Sequence, residues 1–556
     1  MASTIESAHH RWFRPDRTAV DWDAEGFAAF LLRFALSSLT YPLGNLSEHG
    51  LRRTGENSFC IWLEFHHPQV SYAALELAAY QCRTAASGRS NGAELQRQME
   101  RFWVFSSPRH PGLQGEVLMA GADAIDVPYM AGWGLSRHYQ FGWGAKSEVI
   151  FSSASNRDGY VSSQIVDDKN YSKAVIRTLA LPTTDHVQIA EESEIPAAIE
   201  QIGFPCVVKP VDQASGKGIS VGLQSAEQVR SAFHLAKNFT GKSIMLEQFV
   251  PGSDHRLMVA DGQFIGGFRR DPPAVVGDGN RTIRELIEPL NENRTLPGMR
   301  SATQLVWIVL DDFVVQHLAR QGVGPDTILE AGRKVTLRST SNIATGGSCT
   351  DITAEVHPDI RAASEALART MKIYMAGFDY ITTDISRSWR EVPGAFVELN
   401  VRPGLDAPTL AGWPPAKIGA IVIGKTAGRI PLDWIVLDES LLAEAEAYFT
   451  RYLDDQTAGW ASHDKGRIGS LELIVKPVQP WSGIVALLSN AMVHRAYALL
   501  PSRHLQRFGF PVDRASRIWL CDDKLPTPWR DVLPKLSSGP VWEGDWRECS
   551  QLLGLA

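Results

Sequence analysis

A chain of 556 residues is too long for one hydrophobic core and, at roughly 150 residues per domain, points to about three domains. Its 44% hydrophobic and 21% charged residues are ordinary for a folded protein, and a formal charge of -7 with a sequence pI near 6.1 gives no electrostatic reason to bind nucleic acid. No apolar run reaches the roughly eighteen residues a membrane helix needs, and the start from Met1 to Phe13 has no signal-like apolar core, so a cytoplasmic protein without a membrane partner is expected.

Residues 1–160 are expected to form an N-terminal α/β domain. Residues 59–65 and 116–119 have strand-like texture, residues 72–85 suit a helix, and an aromatic, glycine-rich patch follows at Trp133, Tyr139, Phe141 and Trp143. No catalytic pattern stands out there. The six cysteines, at 60, 82, 206, 349, 521 and 549, show no Cys-x-x-Cys and no paired histidine spacing, which argues against a zinc site or a disulfide framework. Cys349 lies beside a Thr-Gly-Gly turn, where small buried packing is its expected role.

The segment Asp167-Asp168-Lys169-Asn170 opens a helix whose apolar positions Tyr171, Val175 and Leu179 recur every four residues, ending before Pro182. Lys169 therefore sits at a helix start. The run Cys206-Val207-Val208-Lys209-Pro210 delivers a lysine at a strand end, and the polar turn Asp212-Gln213-Ala214-Ser215-Gly216-Lys217-Gly218 follows at once. Glycines there let backbone N–H groups close on phosphate oxygens. A further strand, Ile244-Met245-Leu246-Glu247-Gln248-Phe249-Val250, runs into Pro251-Gly252, with Asp254 and Arg256 just beyond. Thr282-Ile283-Arg284-Glu285 is a capping box, and Gly277-Asp278-Gly279 a turn, so both have structural explanations.

Side chains alternate across a strand, so Glu398 and Asn400 of Glu398-Leu399-Asn400-Val401-Arg402 project from one face and offer two oxygens to a hard cation. The segment Gly377-Phe378-Asp379-Tyr380-Ile381 reads as a partner strand that adds a third oxygen from Asp379, the kind of set that holds Mg²⁺ beside phosphates. The plain alternative is an edge hairpin with polar residues facing water. Residues 419–426 satisfy the G-x-x-x-x-G-K-T pattern, but a phosphate loop must follow a strand, whereas Trp413-Pro414-Pro415 precedes and the apolar spacing suits a helix. Beyond residue 430 come a strand at 434–437, a helix over 441–453, and strands at 469–475 and 518–521.

In this order the early lysine, the Val-Lys-Pro strand with its glycine loop, the strand with Glu247, and the acid with its Glu-x-Asn hairpin resemble the ATP-grasp ligase superfamily. The segments 254–259, 275–279, 342–347 and 351–358 narrow the resemblance to the central part of cyanophycin synthetases, over roughly residues 130 to 430. It implies an α/β (α+β) chain with the N-terminal domain at 1–160, an ATP-grasp domain at 161–430 and a degenerate Mur-ligase-like domain at 431–556. Asp438-Glu439-Ser440 stands where that last domain would need its phosphate loop, so one ATP site is expected.

The resemblance also assigns roles. Lys169, Lys209, Ser215, Gly216, Lys217 and Gly218 would meet the phosphates of ATP, the backbone at Glu247, Gln248, Phe249 and Val250 the adenine edge, and Asp254 the ribose. Asp379, Glu398 and Asn400 would carry Mg²⁺. Arg256, Arg270, Asn342 and the amides of Gly346 and Gly347 would stabilise an acyl phosphate or a tetrahedral intermediate. Arg402 departs from the small residue of those relatives and would clamp a carboxylate bidentately, or form an ordinary surface salt bridge. The implied activity is ATP-dependent amide or peptide bond formation in one condensation on an amino-acid or peptide substrate, with a homo-oligomer compatible with it. Polymer synthesis with a partner enzyme, and an inactive nucleotide-binding scaffold, are the alternatives.

Overall fold

The computed structural model describes residues 23–43, 49–63, 67–87, 92–109, 111–132, 137–166, 168–212, 218–295, 304–476 and 480–555. The chain divides into two compact units, one comprising Met1–Gly115, Ala122–Phe151 and Ile423–Ala556, the other Glu116–Gly121 and Ser152–Val422. The N- and C-terminal segments, read from sequence as separate regions, thus share one unit.

The unit built on Ser152–Val422 contains two larger antiparallel sheets. The first has four strands in the order His186–Ile189, Ile244–Gln248, Cys206–Pro210, Ser220–Leu223. Alternation sends Cys206, Val208, Ile244 and Leu246 to one face, where they pack on helices Ile195–Ile202 and Ala226–Lys237. The other face keeps Lys209 and Glu247. The second sheet has five strands in the order Ser348–Asp351, Gln263–Asp271, Ser253–Ala260, Met375–Thr382, Gly394–Asn400. Leu257, Phe378, Tyr380, Phe396 and Leu399 form its apolar face against helix Pro358–Thr370. A smaller cluster, built on helices Ile283–Asn291 and Asp312–Arg320, accompanies the strand pair Ala274–Val276 and Lys334–Thr336. The expected capping box is present: Thr282 N donates to Glu285 at 2.8 Å and Glu285 N to Thr282 Oγ1 at 3.3 Å.

In the other unit a seven-stranded sheet runs Leu471–Leu473, Gly466–Ile468, Ala458–Ala461, Arg495–Pro501, Leu432–Leu437, Arg517–Cys521, Val541–Glu543, the last five parallel. Apolar clusters cover it on both sides, as a parallel sheet requires. Trp143 of the aromatic-glycine patch belongs to this core. Trp143 packs with Trp434 and Val493, and Ala145 N donates to Val493 O at 2.8 Å. A Cβ on Gly144 would stand 2.2 Å from that carbonyl, which explains the glycine.

Two local expectations fail. Residues 116–119 lie in helix Gly112–Ala124, not a strand; Val117, Leu118 and Met119 are all buried, and a short buried apolar run does not distinguish the two. The strand expected over 469–475 is a tight hairpin, Gly466–Ile468 and Leu471–Leu473, turning at Gly469 with φ 51°. Among the described residues no helix is long and apolar enough to cross a membrane.

Candidate functional site

Asp168 caps helix Lys169–Thr178, its carboxylate accepting from Asn170 N at 2.8 Å, which fixes Lys169 at the helix start. The buried stripe differs from the expected one: Tyr171 is exposed, while Ser172, Lys173 and Ile176 are buried. Lys173 turns inward because it has a partner there. It forms an ion pair with Glu247 of strand Ile244–Gln248, and the Thr184 hydroxyl bridges the two, accepting from Lys173 and donating to Glu247. Lys209 Nζ stands 2.5 Å from the other oxygen of Glu247. The register pairs Lys209 with Met245, so Lys209 and Glu247 share one face.

Burial works to raise the Glu247 carboxyl, but Lys209 and Lys173 outweigh it and hold it down at about 2. Burial pulls the Lys173 ammonium down to about 8, reinforced by the like charge of Lys209 and opposed by Glu247. Two lysines thus share one carboxylate, leaving a net positive charge in a buried cluster. Lys173 and Thr184 were missed from sequence. The signal for Lys173 was its place four residues after Lys169, on the same side of the helix.

On the five-stranded sheet the register is decisive. Glu398 faces Asp379, Asp379 faces Arg256, Arg256 faces Phe268, and Phe268 faces Asp351, one residue from each strand in a row on one face. Asp254, Arg270 and Cys349 make the neighbouring row. A bulge lets the Asp379–Tyr380 step face Glu398 and Phe396, leaving Val397 as the extra residue; this keeps Glu398 on the charged face and Phe396 in the core. Arg256 Nε lies 2.8 Å from Asp379 Oδ1, and Arg270 reaches Asp379 Oδ2 at 2.8 Å and Asp254 Oδ1 at 2.6 Å. Burial pushes the Asp379 carboxyl up, yet the two guanidiniums more than offset it and the group stays below its usual range. The same acids keep Arg270 charged despite its burial. Lys169 Nζ is 3.5 Å from Glu398 Oε1, joining the early lysine to this face.

The expected metal oxygens are therefore close, but they are not equivalent. Glu398 is partly exposed with Lys169 as its ion-pair partner. The buried Nδ2 of Asn400 has no hydrogen-bond partner and, being a donor, suits an acceptor such as a phosphate oxygen, so a cation would take the Asn400 side chain through Oδ1. These two fit a hard cation. Both oxygens of Asp379 lie in ion pairs with arginines, but Oδ1, 2.8 Å from Arg256 Nε, is a buried acceptor without a hydrogen bond and is the less committed of the two.

Several other expected roles are changed by local bonding. The Gly346 and Gly347 amides donate to Ile343 O and Asn342 O at 3.1 and 3.0 Å within a turn where Gly346 has φ 98°, so they are spent on that turn rather than offered to an oxyanion. The Asn342 side chain accepts from Ala344 N at 2.8 Å and caps the same turn. Gln248 N and Phe249 N donate to Asp185 O and Pro205 O, at 2.9 and 3.4 Å. Asp254 binds Arg270 and accepts from Ser341 Oγ at 2.5 Å. Arg402 is exposed, and Gly218 has φ 71° at the end of its loop. Ser215, Gly216 and Lys217 lie outside the described residues, as does Trp133. Burial pushes the Cys349 thiol up to about 12, although the residue is only partly buried.

Residues 419–423 of the G-x-x-x-x-G-K-T match lie in the helix Pro415–Ile423, so the pattern forms no strand-to-helix phosphate loop. After strand Leu432–Leu437, Asp438 accepts from Ser440 N at 2.9 Å, and Glu439 accepts from Arg503 N and His504 N at 2.8 and 3.1 Å. Both carboxylates are helix caps.

The model of the ATP-grasp domain family matches residues 174–259, which include Thr184, Lys209, Glu247, Asp254 and Arg256. The cyanophycin synthetase of Crocosphaera subtropica is 31% identical over 364 residues, 64% of this chain and 41% of the relative. The glutathione biosynthesis bifunctional protein GshAB of Streptococcus thermophilus is 31% identical over 267 residues, 47% of this chain and 35% of the relative. The chain thus spans less than half the length of these curated relatives. Among solved structures, a bifunctional glutathione synthetase from Pasteurella multocida has a TM-score of 0.39 and 21% identity, covering 60% of this chain and 48% of that one. Over residues 174–259 this α/β chain is thus similar to the ATP-grasp domain family.

Proposed function

We propose that the chain is an ATP-dependent carboxylate–amine ligase, forming an amide or peptide bond through an acyl phosphate in one condensation on a small amino-acid or peptide substrate. The observation that carries this reading is the single sheet face on which Glu398, Asp379, Arg256 and Arg270 stand together, tied to Lys169 by the ion pair with Glu398. A carboxylate is a poor electrophile. Transfer of the γ-phosphoryl group of ATP to its oxygen supplies a leaving group, and attack by an amine then forms the C–N bond and releases phosphate. The similar relatives are named as cyanophycin synthetase and a glutathione biosynthesis protein, which supports an amino-acid or peptide substrate.

Lys169, Lys173 and Lys209 supply the positive charge that a triphosphate needs, and Glu247 keeps two of them in place without neutralising both. The Val250 backbone takes the adenine edge, since the amides before it already donate elsewhere. Asp254, now bonded to Arg270 and Ser341, would take the ribose only by exchanging one of these partners. Glu398 and Asn400 hold Mg²⁺, which when bound screens the phosphate charge. Arg256 and Arg270, fixed by Asp379, stabilise the acyl phosphate and the tetrahedral intermediate, and Arg402 orients a substrate carboxylate. The C-terminal sheet binds no nucleotide and serves packing. An assay of ADP release with Mg²⁺ against a panel of amino acids and dipeptides tests the reading: release that depends on one acid and one amine is expected, and substrate-independent ATP binding without release would overturn it.

A further inference from the structure

The two oxygens of Asp254 bind partners of different kinds. Oδ1 lies 2.6 Å from Arg270 Nη2, and the same nitrogen reaches Asp379 Oδ2 at 2.8 Å. Oδ2 accepts from Ser341 Oγ at 2.5 Å. The Asp254 side chain is 28% exposed, against 13% for Arg270, so a ligand reaches the carboxylate more readily than the guanidinium beside it. On the proposed reading a ribose hydroxyl replaces one of these partners, and the two exchanges differ in cost. Parting Asp254 from Arg270 separates opposite charges in a largely buried place and leaves the guanidinium with Asp379 alone, which is strongly unfavourable. Ser341 brings one neutral hydroxyl, the same donor that a ribose carries, so exchanging it keeps a hydrogen bond on the carboxylate and leaves both ion pairs intact.

The backbone around Ser341 is held independently of this bond. Its neighbour Asn342 accepts at its carbonyl from Thr345 N and Gly347 N, at 3.1 and 3.0 Å, and a Cβ on Gly347 would stand 2.7 Å from Ser341 O, so the turn packs against the serine's own carbonyl. Arg294 ties that turn down from the other side, its Nη1 donating to Gly346 O at 2.8 Å and to Val306 O at 2.9 Å. With the main chain fixed, Ser341 releases Asp254 by rotation about a single side-chain bond, from one staggered position to another.

We propose that Ser341 is a latch on the nucleotide site: its hydroxyl holds Asp254 Oδ2 while the site is empty and gives way to a ribose hydroxyl when ATP binds. The inference rests on the ligase reading above and adds a residue that sets its nucleotide affinity. Asp254 stays on Arg270 in both states, so the guanidinium remains aimed at Asp379 before and after nucleotide arrives. The serine bond that is given up offsets part of the gain from the ribose, which weakens the binding of any nucleotide carrying that hydroxyl.

The test is calorimetric titration of the full chain with ATP and with dideoxy-ATP, which lacks both ribose hydroxyls, without acid or amine so that no turnover occurs. In Ser341→Ala the Kd for ATP should fall about tenfold, the value of one hydrogen bond to a charged acceptor, because no hydroxyl then competes for Asp254, while the Kd for dideoxy-ATP stays at the wild-type value. Melting curves give an independent readout. Free Ser341→Ala should melt below the free wild type, since the free chain makes the lost bond; the two should melt alike when saturated with ATP, and differ again when saturated with dideoxy-ATP. An ATP Kd unchanged or raised in Ser341→Ala, with ATP still preferred to dideoxy-ATP, overturns the latch and leaves the ligase reading intact. Equal affinities for the two nucleotides in Ser341→Ala put the ribose away from Asp254 and overturn the latch together with that ribose contact, again without touching the ligase reading. A wild-type chain that binds no ATP overturns the ligase reading and this inference with it.

Discussion

The strands Cys206–Pro210 and Leu432–Leu437 belong to different units, and each is buried along most of its length and meets polar residues at its carboxyl end. At the first, Lys209 joins Lys173 around Glu247, two cations to one anion. At the second, Asp438 and Glu439 bring only negative charge, and backbone amides of helical turns absorb it. On the proposed reading these charges would attract a triphosphate to the first and disfavour it at the second. Similar strand ends therefore teach that the sign left over after local bonding, rather than the fold around a strand end, decides where an anion binds.

The largest expected effect breaks the cationic end. Lys209→Met should abolish detectable turnover, because it leaves Glu247 with a single lysine and removes a charge from the phosphates. A titration with a fluorescent ATP analogue should show the affinity loss, whereas a wild-type binding curve would move the phosphate site elsewhere. The metal pair comes next. Glu398→Gln and Asn400→Ala should each lower turnover at least about tenfold, matching a loss of about 1.5 to 3 kcal/mol per charge-assisted contact, with unchanged melting curves. Full Mg²⁺-dependent activity in Glu398→Gln would remove it from the metal site.

Acid sharpens the comparison through Glu247. Its folded pKa lies below the unfolded value, so its contribution to stability is fully present above about pH 4.5 and is lost as pH falls toward about 2. The contribution is on the order of 3 kcal/mol. Acid unfolding of Glu247→Gln, followed by circular dichroism, should lack that part of the pH dependence. An identical acid limb would show that the two lysines do not hold this carboxylate.

Stoichiometry tests both ends together. Calorimetry should give one ATP per chain, with Lys169→Ala plus Lys209→Ala removing the heat. A second saturable site surviving in that double variant would make the C-terminal sheet a nucleotide site. The smallest effects belong to residues outside the cationic cluster: Lys425→Met and Asp438→Ala should leave nucleotide affinity at the wild-type value, the second with only a modest fall in melting temperature from the lost cap.

Much of the middle unit was legible because its signals are local. Alternation placed Glu398 and Asn400 on one strand face, Asp168 marked a helix start, and Thr282 with Glu285 made the capping box; each depends on residues within four positions of one another. The helix Pro415–Ile423 was likewise set by local spacing against a misleading motif.

Tertiary structure decided which charges meet. Nothing near Lys173 in the chain announces Glu247, and Asp379 faces Arg256 only because two strands far apart in sequence align in one register. The Gly346 and Gly347 amides looked available until the turn that uses them was formed, and the buried run at residues 117–119 is a helix because segments distant in sequence bury it. The sequence by itself determined the strands, caps and donor types, since those follow from the periodicity and chemistry of neighbouring residues. Pairing, burial and spent hydrogen bonds required the assembled fold, because the energy of a charge or an amide depends on what the rest of the chain brings within a few ångströms of it.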